Sequence, residues 1–347
     1  MTQQLADKQS LTDAEVARAV EALTRQEVAP QLKAEFLTAL ARKGEVVSEI
    51  AAFARELRAK SIAPPLDAET RSRQMLDVCG TGGDRLNTFN ISTTVALILA
   101  SAGVTVAKHG NRAITSQAGS ADVLEALGIK IELEPEEAAR GLREHQFAFF
   151  FAPKYHPAFR EIAPARKLCA ARGQRTIFNF LGPLLNPVRP AAQVIGVPRP
   201  ELCRPIGRVL QLLGARRGMV VSGAVFAGET IAHLDELSTL GDNCVAEFYQ
   251  ERGFSVSTLS PRNFPVQPAE LADLAGGDRR ANAEIVRRLL RGEDQGPKRD
   301  AVLLNSAAAL FVAEKASSLT EGWELGEELV DSGRAMAKLE ELARVWR

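Results

Sequence analysis

Apolar positions near the start of the chain recur every three or four residues. Val16, Val20 and Leu23 form one stripe behind Thr12 and Glu15, a capping-box pair, with Leu11 and Val16 placed to close a hydrophobic staple. Pro30 to Lys43 predicts a second helix, with proline in its first turn, Phe36, Leu37 and Leu40 on its buried face and Gly44 as its stop. Glu45 to Arg58 predicts a third, carrying Val46, Ile50, Phe53 and Leu57 on one side. Three short amphipathic helices leave apolar faces to cover, against a partner subunit or the rest of the chain.

The pattern changes after Ala63-Pro64-Pro65. Met75–Cys79 predicts a buried strand, Thr93–Ala102 a helix and Val104–Ala107 another strand. The alternation continues through Ala121–Leu127, Phe147–Phe151, Gln193–Val197, Pro205–Leu213 and Gly218–Val221, as an α/β domain with a mostly parallel central sheet requires. Ala281–Leu290, Ala301–Ala316 and Trp323–Trp346 return to helical spacing, while Gly276-Gly277-Asp278 and Gly292–Lys298 read as surface loops.

Composition narrows the function. Lys+Arg and Asp+Glu are 43 each, so the chain lacks the basic excess of a dedicated nucleic-acid binder. The four cysteines are far apart and form no zinc or disulfide pattern, which suits a reducing compartment. The polar start and the short apolar stretches predict neither a signal peptide nor a membrane span, so a cytoplasmic protein is expected.

Three segments carry candidate chemistry. Gly80-Thr81-Gly82-Gly83-Asp84 follows a strand directly, where its N–H groups can form an anion nest, and Asn90, Ser92 and Thr93 begin the next helix. A glycine-rich turn ahead of a capped helix is the plainer alternative. Lys108-His109-Gly110-Asn111-Arg112 follows the next strand, with Thr115, Ser116 and Ser120 beyond it; this is a second phosphate loop or a basic surface turn. Asp235-Glu236 can bind a hard divalent cation, although such pairs are common on surfaces. GTGGD lacks the GxGxxG form of a dinucleotide site.

In this order and spacing, GTGGD, NIST, KHGNR and DEL resemble the anthranilate phosphoribosyltransferase family. The resemblance extends through Gly119-Ser120-Ala121-Asp122, His156-Pro157, Thr176–Pro187 and Asn305-Ser306-Ala307-Ala308, over nearly the whole chain. It implies a helical domain at 1–68, joined by helices near 185–200, and an α/β domain at 69–347. It implies transfer of phosphoribosyl from phosphoribosyl pyrophosphate to anthranilate, the second step of tryptophan biosynthesis from chorismate. It also implies two Mg²⁺ per subunit and a homodimer through the N-terminal helices.

By the same resemblance, Gly80, Gly83, Asp84, Thr88, Asn90, Ser92, Thr93, Lys108, Ser116 and Ser120 would hold the donor. Asn111 and Arg166 would face anthranilate. Asp235, Glu236 and Ser92 would hold the metal, and Lys108, Arg166, Asp235 and Glu236 would be the catalytic set. His109 is expected to shape its loop rather than act as a base, and the other histidines to be structural. The chain departs from the family pattern at Ala118 and Ser222, in a longer Ala224–His233 link, and in extra residues between Arg166 and Arg175. The last departure bears on how Arg166 is presented. Pyrimidine nucleoside phosphorylases, which share the fold, write their phosphate loop differently. An inactive nucleic-acid-binding relative would have eroded donor motifs and a basic groove.

Overall fold

The computed structural model describes residues 1–113, 117–227, 230–249 and 252–345. The N-terminal helices are α1 (Thr2–Ala6), α2 (Asp13–Thr24), α3 (Pro30–Lys43) and α4 (Val47–Ala59), followed by a short α5 (Ala68–Ser72). Thr12 caps α2 as expected. Its hydroxyl accepts from Glu15 N–H at 3.3 Å, and Glu15 accepts from Thr12 N–H at 2.8 Å, an arrangement that contributes about 1 kcal/mol. Buried Glu49 accepts from Leu11 N–H, Val46 N–H and Lys43 Nζ, so one carboxylate fastens the starts of two helices.

The sheet comprises β1 (Met75–Gly80), β2 (Thr105–Gly110), β3 (Phe147–Phe151), β4 (Ala192–Gly196), β5 (Arg217–Ala227), β6 (Thr230–Leu234), β7 (Asn243–Tyr249) and β8 (Arg252–Leu259). Its order is β3-β2-β1-β4-β5-β7-β8, with β6 paired to β5. The first five of these strands run parallel, whereas β7 runs antiparallel to both β5 and β8, and β6 antiparallel to β5. The mostly parallel sheet is therefore observed, with an antiparallel extension that the sequence pattern did not reveal.

Alternate residues of the sheet enter different cores. Leu76, Val78, Val106, Val194, Met219 and Val221 pack under α6 (Ile91–Ser101), α7 (Ser120–Ala126) and the C-terminal helices α12 (Arg279–Leu290), α13 (Pro297–Val312), α14 (Leu319–Asp331) and α15 (Arg334–Val345). Ile195, Val197, Val220, Ala246 and Phe248 join the N-terminal helices in a second core, with α11 (Cys203–Leu212) between them. The first strands also pack on α8 (Pro135–His145) and on Tyr155 of α9 (Ala152–Tyr155).

Two expectations need correction. Residues 185–200 do not supply joining helices: their main element is β4, whose fully buried AQVIG run belongs in a parallel sheet. The N-terminal helices pack instead on α10 (Ala163–Ala171) and the turn before it, where Cys169 Sγ donates to Ala34 O at 3.6 Å and Lys33 Nζ to Glu161 O at 2.8 Å. The single helix expected from Trp323 is two, α14 and α15, separated at Ser332-Gly333. Gly333 has φ +78, a conformation that ends a helix.

Candidate active site

All five parallel strands present their C-terminal ends to one side, where ligands collect in α/β sheets. There the expected loops converge. Asp235 accepts from Gly82 N–H, and from Thr81 Oγ1 at 3.2 Å. Glu236 accepts from Ser92 N–H at 3.3 Å, in the first turn of α6. The acidic pair thus lies between the glycine loop and the helix start. The approach requires glycines: a Cβ on Gly80 would fall 2.7 Å from Asp235 Cγ, and one on Gly196 only 1.5 Å from Asp235 O.

Charge is concentrated here. Burial pushes the Asp235 carboxyl well above the usual carboxylate range, and the neighbouring Asp84 and Glu236 push it further. Burial raises Glu236 to about 7, against the pull of Lys108 and of hydrogen bonds from Ser92. Lys108 is itself buried and donates to Val78 O at 2.8 Å. Asp235 and Glu236 are hard oxygen donors whose mutual repulsion a divalent cation would relieve. Among the described residues no group of three or more His, Cys, Asp or Glu side chains forms a metal cage. Mg²⁺ commonly takes one or two carboxylates and completes its shell with water and substrate phosphate.

The remaining expected donor residues, and Asn111 expected at the acceptor, stand on or beside these loops. Asn90 donates to Ala118 O at 3.3 Å and accepts from Asn282 Nδ2 at 2.9 Å. Thr88 is half-buried and bridges to Ala275. Thr93 is buried, which leaves its place in the first turn of α6 as its contribution. Gly83, beside Pro198, and Asp84 stay on the glycine loop. Asn111 accepts from Arg112 N–H, and Ser120 Oγ donates to Asn111 O at 3.4 Å. Ser116, with Thr115, lies outside the described residues. Arg112 is engaged by Asp122 and Glu125, so the basic character of this loop rests on Lys108.

Arg166 lies apart from the acidic pair, on α10. Its half-buried guanidinium sits 5.5 Å from the Phe178 ring centroid, and burial lowers its pKa. A continuous line of rings leads from the donor side to it. His109 meets His156 at 5.1 Å between centroids, His156 stacks on Phe159 at 5.3 Å, and Phe159 meets Phe178 edge-on at 5.7 Å. The histidines face each other through Nε2 atoms 3.1 Å apart. Burial drives both pKa values down, His156 to about 4, so the pair is neutral at physiological pH. The extra residues after Arg166 form the C-terminal turn of α10, where Gly173 has φ +65 and Gln174 N–H donates to Cys169 O. Arg166 stays within the helix.

Residues 72–336 match the model of a glycosyl transferase family's a/b domain, and residues 1–61 match its helical bundle domain. The anthranilate phosphoribosyltransferase of Petrotoga mobilis is 44% identical over 340 residues, covering 98% of this chain and 94% of its own. The chain belongs to the anthranilate phosphoribosyltransferase family. Its structure is similar to that of the Thermus thermophilus member, with 42% identity, a TM-score of 0.87 and coverage of 99% and 98% of the two chains. The Saccharomyces cerevisiae member, solved with PRPP and Mg and also with 4-fluoroanthranilate, is 26% identical, with TM-scores of 0.83 and 0.84 and coverage of 99% and 95%.

Several residues that support this anthranilate phosphoribosyltransferase site have no role assigned to them in the sequence, Asn305 standing there only as part of a motif. Asn305 and Asn243 brace the backbone after Glu236: Asn305 pairs with Leu237 and Asn243 accepts from Ser238 N–H at 2.7 Å. Asn282 fixes Asn90. Gly276, expected in a surface loop, packs against Phe89, where a Cβ would lie 2.9 Å from the backbone. Asp77 accepts from His109 N–H at 3.2 Å and Asn186 Nδ2 at 2.9 Å, below the donor loops. Asparagines spread through a chain announce nothing until the fold brings each to an unpaired backbone group.

Proposed function

We propose that this chain transfers the 5-phosphoribosyl group of phosphoribosyl pyrophosphate to the amine of anthranilate. The products are N-(5-phosphoribosyl)anthranilate and pyrophosphate, in the second step of tryptophan biosynthesis from chorismate. The observation that carries this reading is the convergence of Asp235-Glu236 on the Gly82 and Ser92 N–H groups, in a chain with near-full-length similarity to the family.

Asp235 and Glu236, with Ser92, would hold two Mg²⁺, whose charge stabilises the departing pyrophosphate. Gly80, Gly83, Asp84, Thr88, Asn90, Ser92, Thr93, Lys108, Ser116 and Ser120 hold the donor. Lys108 and the loop N–H groups supply fixed positive charge in a partly dry site, where it needs no reorganisation during the reaction. Asn111 and Arg166 position anthranilate, Arg166 facing its carboxylate, and the wall from His109 to Phe178 offers faces and edges to an aromatic ring. An aromatic amine is neutral at pH 7, so orientation toward C1 replaces a general base. The neutral histidine pair is consistent with this.

The exposed Leu32 on α3 supports a homodimer through the N-terminal helices, and the four free cysteines support a cytoplasmic location. Among the described residues no helix is long and apolar enough to cross a membrane. The test mixes the protein with phosphoribosyl pyrophosphate, Mg²⁺ and anthranilate and follows anthranilate fluorescence. Fluorescence loss that requires donor, metal and both carboxylates, and disappears in Asp235→Ala/Glu236→Ala, is expected. Absence of donor binding would overturn the reading.

A further inference from the structure

At the opposite ends of the same strands lies a feature the transfer reaction does not use. A concavity of about 300 Å³ opens beside Met75 at the start of β1 and Ala191 just before β4. Four arginines line it: Arg71 and Arg73 from the approach to β1, Arg189 from the turn before β4, and Arg216 from the turn before β5, together with Ser72. No carboxylate is among the lining residues. Arg73 alone of the four is committed, to Glu69 at 2.8 Å and to Arg143 O. Among the described residues, no carboxylate lies within ion-pair distance of Arg71, Arg189 or Arg216.

This concentration is tertiary, since three separate segments deliver it in a chain whose charges balance at 43 each. The backbone holds it in place: Arg189 adopts φ +53, unusual for a residue with a side chain, and its N–H is held by Asn186 O at 3.1 Å. Asn186 is in turn fixed by Asp77 and Ala107 O. The field reaches inward as well. Buried Arg58 is pushed down to about 10, first by desolvation and then by Arg189. Guanidinium forks gathered with three of the four lacking acid partners match a compact anion of several charges, whose oxygens can take paired N–H bonds.

We propose that this concavity is a second anion site that takes a polyphosphate of about the size of pyrophosphate. The length of β1 puts it roughly 17 Å from the glycine loop, so its occupant is not the substrate in the transfer site. Pyrophosphate, a product of the proposed reaction, is one source of such an anion.

Calorimetric titration of the full chain with sodium pyrophosphate tests this, using variants outside the transfer site. Wild type is expected to show two classes of binding, one of which weakens about tenfold or more in Arg189→Ala/Arg216→Ala, the size expected for lost charge-assisted bonds. Arg71→Ala/Arg216→Ala, which leaves the Arg189 turn intact, gives the same loss. Arg262→Ala/Arg288→Ala, an equal change of charge on other surfaces, retains both classes. Superimposable isotherms for wild type and both pocket variants would overturn the proposal, as would an equal loss in the surface control. Phosphoribosyl transfer measured on the same samples reports separately on the transfer site.

Discussion

The side-chain amide of Asn305 meets the backbone of Leu237 in both directions, donating to its carbonyl and accepting from its N–H at 2.9 Å each. The same amide donates to Ala301 O at 2.8 Å, so one turn of α13 sets the position of the acidic pair. Asn305→Ala leaves two buried backbone groups of Leu237 unpaired. It is expected to lose about 2–4 kcal/mol in urea unfolding and to need more Mg²⁺ for half-maximal activity. Unchanged Mg²⁺ dependence would separate the clamp from the metal site.

Gly196 makes a sharper test, because the backbone of Asp235 fills the space a side chain would need. Gly196→Ala must move the acidic segment, and a displacement of about 1 Å at a reacting centre lowers kcat/KM about 100-fold. Gly173 is the control: its φ is +65 with nothing within 4 Å, so Gly173→Ala costs about 1 kcal/mol of stability and leaves kcat/KM nearly unchanged. Circular dichroism establishes that both variants fold.

In the proposed reaction Arg166 serves anthranilate and the acidic pair serves the donor. Arg166→Ala is expected to raise KM for anthranilate by about 10–100-fold, the loss of one charge-assisted contact, with KM for the donor held within about twofold. Steady-state titration of each substrate in turn decides it. A matching rise in donor KM would place Arg166 on the wrong substrate.

Asp77 predicts a pH effect on stability. Its carboxyl is fully buried and raised from 3.8 to about 6, chiefly by desolvation. Between those values the unfolded chain releases a proton that the folded chain keeps, so this group's contribution falls as pH rises from about 4 to 6. Above that window it is constant. Asp77→Asn does not titrate and is expected to gain on wild type across the window, by up to roughly 3 kcal/mol. Urea midpoints at pH 4, 5, 6 and 8 measure it; a constant difference would exclude ionisation of Asp77.

Local pattern made the parallel half of the molecule legible. β3 matches its expected bounds, as does α3, because a run such as FAFFF or a proline-to-glycine helix is specified by neighbouring residues. The extension beyond the expected Gly218–Val221 strand, through β6 to β8, was not legible. Its strands carry exposed and half-buried residues such as Ile231, Phe226 and Val256, which lack a continuous apolar run. The same division holds in the cleft. Gly80, Ser92, Asp235 and Glu236 stand in compact motifs that the structure brings together. Asn305, Asn282, Gly196 and Asp77 act through partners up to about 190 residues away, a relationship no local spacing encodes.

Phe159, Phe178 and the helix of Arg166 pack with the N-terminal helices, whereas the glycine loop, α6 and the acidic pair are anchored to the sheet and to α13. The two halves of the cleft therefore answer to different mutational pressures. In the proposed reaction, substitutions around Phe159, Phe178 and α10 would reshape acceptor choice and leave the donor loops intact. For a lineage under selection, or for an engineer seeking new arylamine acceptors, the place to vary is the 157–178 stretch, with the glycine loop left alone.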